Sequence, residues 1–119
     1  MERDGGPVPL FTQKYKNEDF ASFSLVFRKF LFDDAKTSSI PDSACFAVAG
    51  PVKDNRVVFT NRSSWTIDGE SLAKEFKIPR VLLINDFLAV GYGLLTLKEN
   101  VECICLQAAE KKGDAPIAC

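Results

Sequence analysis

Four consecutive apolar residues, Val81-Leu82-Leu83-Ile84, stop at Asn85-Asp86, and a second apolar stretch follows from Phe87 to Leu97. An unbroken run of valine, leucine and isoleucine reads as a strand covered on both faces, the pattern of parallel sheets. A strand that ends on a carboxylate and passes straight into a helix presents that group at its carboxyl edge, where open α/β sheets gather ligands. Cys45-Phe46-Ala47-Val48-Ala49 has the same buried character and closes on Gly50-Pro51. Lys53-Asp54-Asn55-Arg56 is a turn signal, and Val57-Val58-Phe59-Thr60 resumes as strand, so this section reads as a strand followed by a hairpin.

Helical spacing appears earlier. Phe20, Phe23, Phe27, Phe30 and Leu31 predict an amphipathic helix from about Phe20 to Phe32, with Asn17 and Asp19 as capping side chains. A phenylalanine stripe at this spacing is core. Asp33-Asp34 and Ser38-Ser39-Ile40-Pro41 end the helix, and Pro9 to Tyr15 is expected to form a short strand before it. Asp68 is placed to cap a helix over Glu70 to Phe76, which Lys77-Ile78-Pro79-Arg80 terminates. Strand-like segments near Val101 to Leu106 and Ala115 to Cys119 flank a polar loop, Gln107 to Asp114. Strands alternating with helices give an α/β fold class.

Composition narrows the chemistry. The chain has 119 residues, enough for one modest domain, with 46% hydrophobic and 26% charged residues and a net charge of −1. Interspersed charges argue for neither nucleic acid nor a membrane surface as partner. No apolar run approaches the roughly 18 residues that span a bilayer. The polar opening, Met1 to Pro7, lacks the apolar centre of a signal peptide, so the expected location is cytoplasmic. Histidine is absent, which removes Ser-His and Cys-His nucleophiles and His-dependent metal sites. Cys45, Cys103, Cys105 and Cys119 match no zinc spacing and read as buried structural thiols, Cys103 and Cys105 sharing one strand face. No metal site is expected.

Asp86 is the residue to explain. An aspartate between strand and helix most often satisfies orphan amides as a cap or turn residue. The sharper reading takes its context into account: a tight turn at Gly50-Pro51 and a strand running into Thr60-Asn61-Arg62-Ser63-Ser64-Trp65. Small polar groups, one carboxylate and one aromatic suit a neutral polyol.

Phe46-Ala47-Val48-Ala49-Gly50-Pro51-Val52, Thr60-Asn61 with Trp65, and Ile84-Asn85-Asp86-Phe87 resemble, in order and spacing, the bacterial-type glucokinases. The likeness runs from about Tyr15 to Cys119, and Ile-Asn-Asp-Phe is its most specific element. It implies an actin-like, ribonuclease-H-like fold and ATP-dependent phosphorylation of glucose at the head of glycolysis, with Mg2+. It implies Asp86 as catalytic base, Asn85 as a sugar contact, Asn61 near the sugar and Trp65 packed behind it. Homodimers, common in the family, are an expectation for the complete protein.

The departures from the family pattern are on the phosphate side. The family's Asp-x-Gly-Gly-Thr element, expected upstream, has no counterpart before Pro7, and its glycine-rich phosphate loop is expected beyond Cys119. None of the seven glycines clusters into a phosphate cradle, and Gly91-Tyr92-Gly93 reads as close packing within a helix. The expectation is a disordered start over residues 1–7, then a partial smaller N-terminal domain over 8–119 that is inactive alone. The alternative is a non-catalytic hexose-binding or regulatory module of the same fold.

Overall fold

The computed structural model of the chain describes residues 8–59, 65–98, 101, 102 and 104. A 3-10 turn (Asn17–Asp19) precedes α1 (Phe23–Arg28), which a π-helical segment (Lys29–Asp34) continues. Then follow β1 (Ser43–Val48), β2 (Arg56–Val58), β3 (Thr66–Asp68), α2 (Gly69–Phe76), β4 (Arg80–Asn85) and α3 (Asp86–Leu94). β1 and β4 pair in parallel, from Ser43 opposite Arg80 to Val48 opposite Asn85. β2 and β3 pair antiparallel, with Val57 opposite Ile67. The alternation read from the sequence is therefore present, and the fold class is α/β.

Between β1 and β4 the chain makes a crossover of a hairpin and a helix. Lys53 and Arg56 exchange both backbone hydrogen bonds at 3.0 Å around Asp54 and Asn55. Both central residues have left-handed φ values, 50° and 56°, as a two-residue hairpin turn requires. Asp68 caps α2 as expected, accepting from the Ser71 N–H at 2.8 Å. Lys77 closes α2 in the left-handed region, φ 56°, and turns buried Ile78 under the sheet.

The core lies against one face of the β1–β4 pair. Phe46 and Val48 from β1 and Val81 and Leu83 from β4 meet Phe27, Leu31, Leu72, Phe76 and Ile78. The Phe27 ring stands edge-on to Phe46 at 4.9 Å and to Phe76 at 4.8 Å. Phe23 meets Phe46 at 4.9 Å in the same way. Such edge-to-face pairs each add roughly 0.5–1.5 kcal/mol beyond the area they bury.

Several expectations are corrected. The run Val81 to Ile84 is not buried on both faces: Leu82 is 54% exposed between buried Val81 and Leu83. Cys45, opposite Leu82, is also exposed rather than a buried thiol. The core with α1 and α2 lies on one face of this two-stranded sheet and Cys45 and Leu82 point to the other, so alternation replaces continuous burial. The other three cysteines lie outside the described residues.

The N-terminal segment departs as well. Pro9 to Tyr15 forms no strand. The Phe11 ring rests on Phe30 at 5.6 Å, and the Tyr15 hydroxyl donates to Asp34 Oδ2, so aromatic anchors hold this stretch against the helix. The expected helix over Phe20 to Phe32 starts at Phe23 because Phe20 is extended, and runs on to Asp34. Asn17 and Asp19 sit in the 3-10 turn and do not cap it; Ser22 occupies the cap position without a side-chain bond. Of the strand expected near Val101 to Leu106, Val101 and Glu102 form a turn and Ile104 is not in a strand; the rest is outside the described residues. Residues 1–7 and Ala115 to Cys119 are outside them too.

Carboxylates tie the helices together. Glu75 accepts from the Ser24 hydroxyl at 2.6 Å and from Arg28 at 2.9 Å, and these bonds hold its carboxyl below the usual 4.5. Asp34 is lowered from 3.8 by the Tyr15 hydroxyl and Lys29, and Asp68 is lowered by the Ser71 amide. Burial and the neighbouring Asp34 carboxylate push the Tyr15 phenol from 10 up to about 12.

Phe27→Ala removes the ring at the centre of the cluster and is expected to cost about 3–5 kcal/mol in urea unfolding, enough to unfold a marginal domain. The depressed carboxyls set the acid limb of stability. Their contribution is fully present above the ordinary values of 3.8 and 4.5 and is lost as pH falls through the lower folded values. The urea midpoint should therefore decline on acidification below those values, and a midpoint that rises there contradicts these bonds.

Candidate functional site

The parallel register brings the carboxyl ends of β1 and β4 side by side, Val48 opposite Asn85. Beyond Val48 the chain turns tightly, the Gly50 N–H folding back on Val48 O at 3.0 Å. A Cβ on Gly50 would stand 3.1 Å from Val57 Cγ2, so a side chain there requires Val57 to shift. Beyond Asn85 the chain enters α3 at once. Two strand ends, one tight turn and one helix start thus converge at one edge of the sheet.

Asn85 links them. Its Nδ2 donates to Gly50 O at 3.1 Å, and its Oδ1 accepts from the Phe87 N–H at 3.0 Å as the cap of α3. A primary amide carries two N–H donors and two acceptor lone pairs, so one donor and one lone pair remain. Asp86 is the first residue of α3 and is exposed. One carboxylate oxygen, Oδ1, also accepts from the Phe87 N–H at 3.0 Å, while Oδ2 has no partner among the described residues. The cap reading and the reacting-group reading of this aspartate are compatible: one oxygen is tied to its own helix and the other faces outward.

Of the predicted site residues, the structure brings Asn85 and Asp86 together at this edge. Asn61 lies outside the described residues. The Phe59 N–H donates to Trp65 O at 2.9 Å. Trp65 is buried at 9% exposure, in keeping with a packing role. With Phe59, Ile67, Ala47, Val48 and Ala49 it lines a cleft of about 250 Å³ at the carboxyl end of β1. Neither Asn85 nor Asp86 lines that cleft. A larger hollow of about 640 Å³ lies at the opposite end of the sheet, by Ser43, Cys45, Arg80 and Leu82, away from both residues.

One functional candidate escaped the sequence reading. Asn55 appears there only as part of a turn signal, yet its side chain reaches β4. Its Nδ2 donates to Val81 O at 2.9 Å and its Oδ1 accepts from the Leu83 N–H at 2.8 Å. The signal was the residue type, since asparagine tolerates the left-handed region and carries a donor and an acceptor side by side. Gly91 and Gly93, by contrast, have nothing within 4 Å of where a Cβ would stand, so close packing is not their role among the described residues.

The Glucokinase family model matches residues 1–119. The chain belongs to the glucokinase family. It is 41% identical to a glucokinase of Nostoc sp. over 109 residues, covering 92% of this chain and 31% of that protein. It is 42% identical to a glucokinase of Synechocystis sp. over 115 residues, covering 94% of this chain and 32% of that protein. A glucokinase of Helicobacter acinonychis is 33% identical over 84 residues, 70% of this chain and 25% of that protein. The chain therefore spans about a third of the length of the curated relatives it matches. No helix among the described residues is long and apolar enough to cross a membrane.

Asn85→Ala removes both the α3 cap and the link to Gly50 O. The expected loss is about 1–2 kcal/mol in urea unfolding. Asn85→Asp keeps an acceptor for the Phe87 N–H but lacks the donor for Gly50 O, so it should recover only part of that loss.

Proposed function

We propose that this sequence is the acceptor-side part of a cytoplasmic glucokinase, which transfers the γ-phosphoryl group of ATP to the 6-hydroxyl of glucose. One observation carries the proposal: Asp86 sits at the carboxyl end of the parallel β1–β4 pair with one carboxylate oxygen free and the other fixed. Family membership supplies the reaction class, and the site residues follow from position. In this reading the β1–β4 pair belongs to the smaller N-terminal domain of an actin-like fold.

The described residues do not fit the nucleotide or its Mg2+. Among them no group of His, Cys, Asp and Glu could hold a metal ion. Among the described residues no glycine-rich turn joins a strand to a helix: β3 enters α2 through the single Gly69, and β4 enters α3 through Asn85-Asp86. Their part is confined to the sugar.

Phosphoryl transfer asks for an acceptor hydroxyl in line with the transferred group and a base to take its proton. The free Oδ2 of Asp86 accepts the proton of the 6-hydroxyl as the sugar oxygen bonds the γ-phosphorus and the bond from that phosphorus to the ADP oxygen breaks, with ADP leaving. The Oδ1 bond to the Phe87 N–H keeps the carboxylate from turning away. Asn85 offers its remaining N–H and lone pair to ring hydroxyls, while its other two hydrogen-bonding positions hold the site's frame. The role of a further sugar contact for Asn61 rests on the family resemblance alone.

The test places this chain in the Synechocystis relative in exchange for the matched stretch. An active chimera is expected to lose about 10²- to 10⁴-fold in kcat on Asp86→Asn or Asp86→Ala, with glucose binding partly retained. Turnover unchanged by Asp86→Ala would remove the base assignment. Equal losses of binding and turnover in a folded variant would make Asp86 a positioning group instead.

A further inference from the structure

Asn55 joins three elements at once. Its backbone lies in the left-handed region of the β2 turn, φ 56°, and its carbonyl accepts from the Gly69 N–H at 2.9 Å, at the start of α2. Its side chain spans Val81 O and the Leu83 N–H of β4 at 2.9 and 2.8 Å. A residue in a parallel strand bonds the carbonyl of one neighbour-strand residue and the amide of the residue two further on. The Asn55 side-chain amide reproduces that pattern opposite Leu82, so it stands in for one residue of a strand. The partners also fix its orientation, because only the oxygen can face the Leu83 N–H and only the nitrogen can face Val81 O.

The surrounding sequence leaves room for this and for little else. A Cβ on Gly69 would fall 2.2 Å from Asn55 Nδ2. Glutamine would carry the amide one methylene too far, and aspartate would set a carboxylate oxygen against Val81 O. β4 runs unbroken from Leu83 to Asn85, and strand residues advance about 3.3 Å each, so the Asn55 bonds lie two residues from the site. At its far end β4 is fastened again, by Asn85 Nδ2 to Gly50 O.

We infer that Asn55 is a positioning residue for the sugar-side site, holding β4 from its unpaired edge so that Asn85 and Asp86 keep their place beside the Gly50 turn. This rests on the reading of Asp86 as the base that meets glucose. Asn55 touches no reacting atom and acts through Val81 and Leu83. A change there alters the height and tilt of the strand end that presents the carboxylate.

The test uses the full chain and two readouts, amide hydrogen exchange and titration with D-glucose. Asn55→Ala is compared with Leu31→Ala, a core truncation that leaves the β4 backbone bonds intact, at denaturant concentrations that equalise their stability. The Leu83 and Phe87 N–H groups should lose about tenfold in protection in Asn55→Ala relative to Leu31→Ala, and glucose affinity should fall by a similar factor. Asn55→Asp keeps the acceptor for the Leu83 N–H, should fall between parent and Asn55→Ala, and carries the test if Asn55→Ala does not fold. Equal Phe87 protection in Asn55→Ala and Leu31→Ala overturns the inference. A parent chain that does not bind glucose, but loses Phe87 protection on Asn55→Ala, keeps the positioning role and counts against the sugar-side reading instead.

Discussion

Because β1 and β4 run parallel, the chain must travel back along the sheet before it can pair with itself, and residues 49–79 make that journey. The crossover is the β2–β3 hairpin followed by α2, and its packing against one sheet face builds the core. The same constraint places the candidate site. Parallel strands end at the same edge, so the turn after β1 and the Asn85-Asp86 step after β4 meet there without any further device. Shifting the register by one residue would send Val81 and Leu83 to the exposed face and Leu82 into the core.

Such a sheet has two weak points, its second face and its open edges. Leu82 and Cys45 lie on the exposed face, and Phe87, Leu88, Val90 and Tyr92 of α3 are also exposed. On the β4 edge the backbone groups at Val81 and Leu83 are met by one side chain rather than by a strand. An amide costs less chain than a strand would, and it blunts an edge that otherwise invites pairing with another chain. Gly69 belongs to the same arrangement, since its missing side chain is the space that Asn55 occupies.

At the site, structural and chemical roles share the same atoms. Asn85 caps α3 and holds Gly50 O, and Asp86 Oδ1 joins it at the Phe87 N–H. A carboxylate held by its own helix start gains orientation without a dedicated partner, and its second oxygen stays available for the proposed role as base. Family membership places this arrangement among glucokinases, over a stretch that is about a third of the length of the relatives it matches.

The sequence by itself determined the elements whose signals are local. The apolar run to Asn85-Asp86, the Asp68 cap, the Asp54-Asn55 turn and the phenylalanine stripe each state their own conformation, because spacing and capping act within a few residues. The Ile84-Asn85-Asp86-Phe87 element pointed to the family as well. The sequence misread Pro9 to Tyr15 and the exposure of Cys45, and in both cases the cause lies far along the chain; the late start of α1 is local, set by the extended Phe20. Tyr15 is held by Asp34, and Cys45 is exposed on the face of β1 opposite the core that α1 and α2 build. Tertiary structure alone decided that Asn55 spans to Val81 and Leu83, 26 and 28 residues away, and that Asn85 reaches Gly50, 35 residues back. Turn propensity is a property of neighbours, whereas a hydrogen bond across a crossover exists only once the parallel register has brought its two ends together.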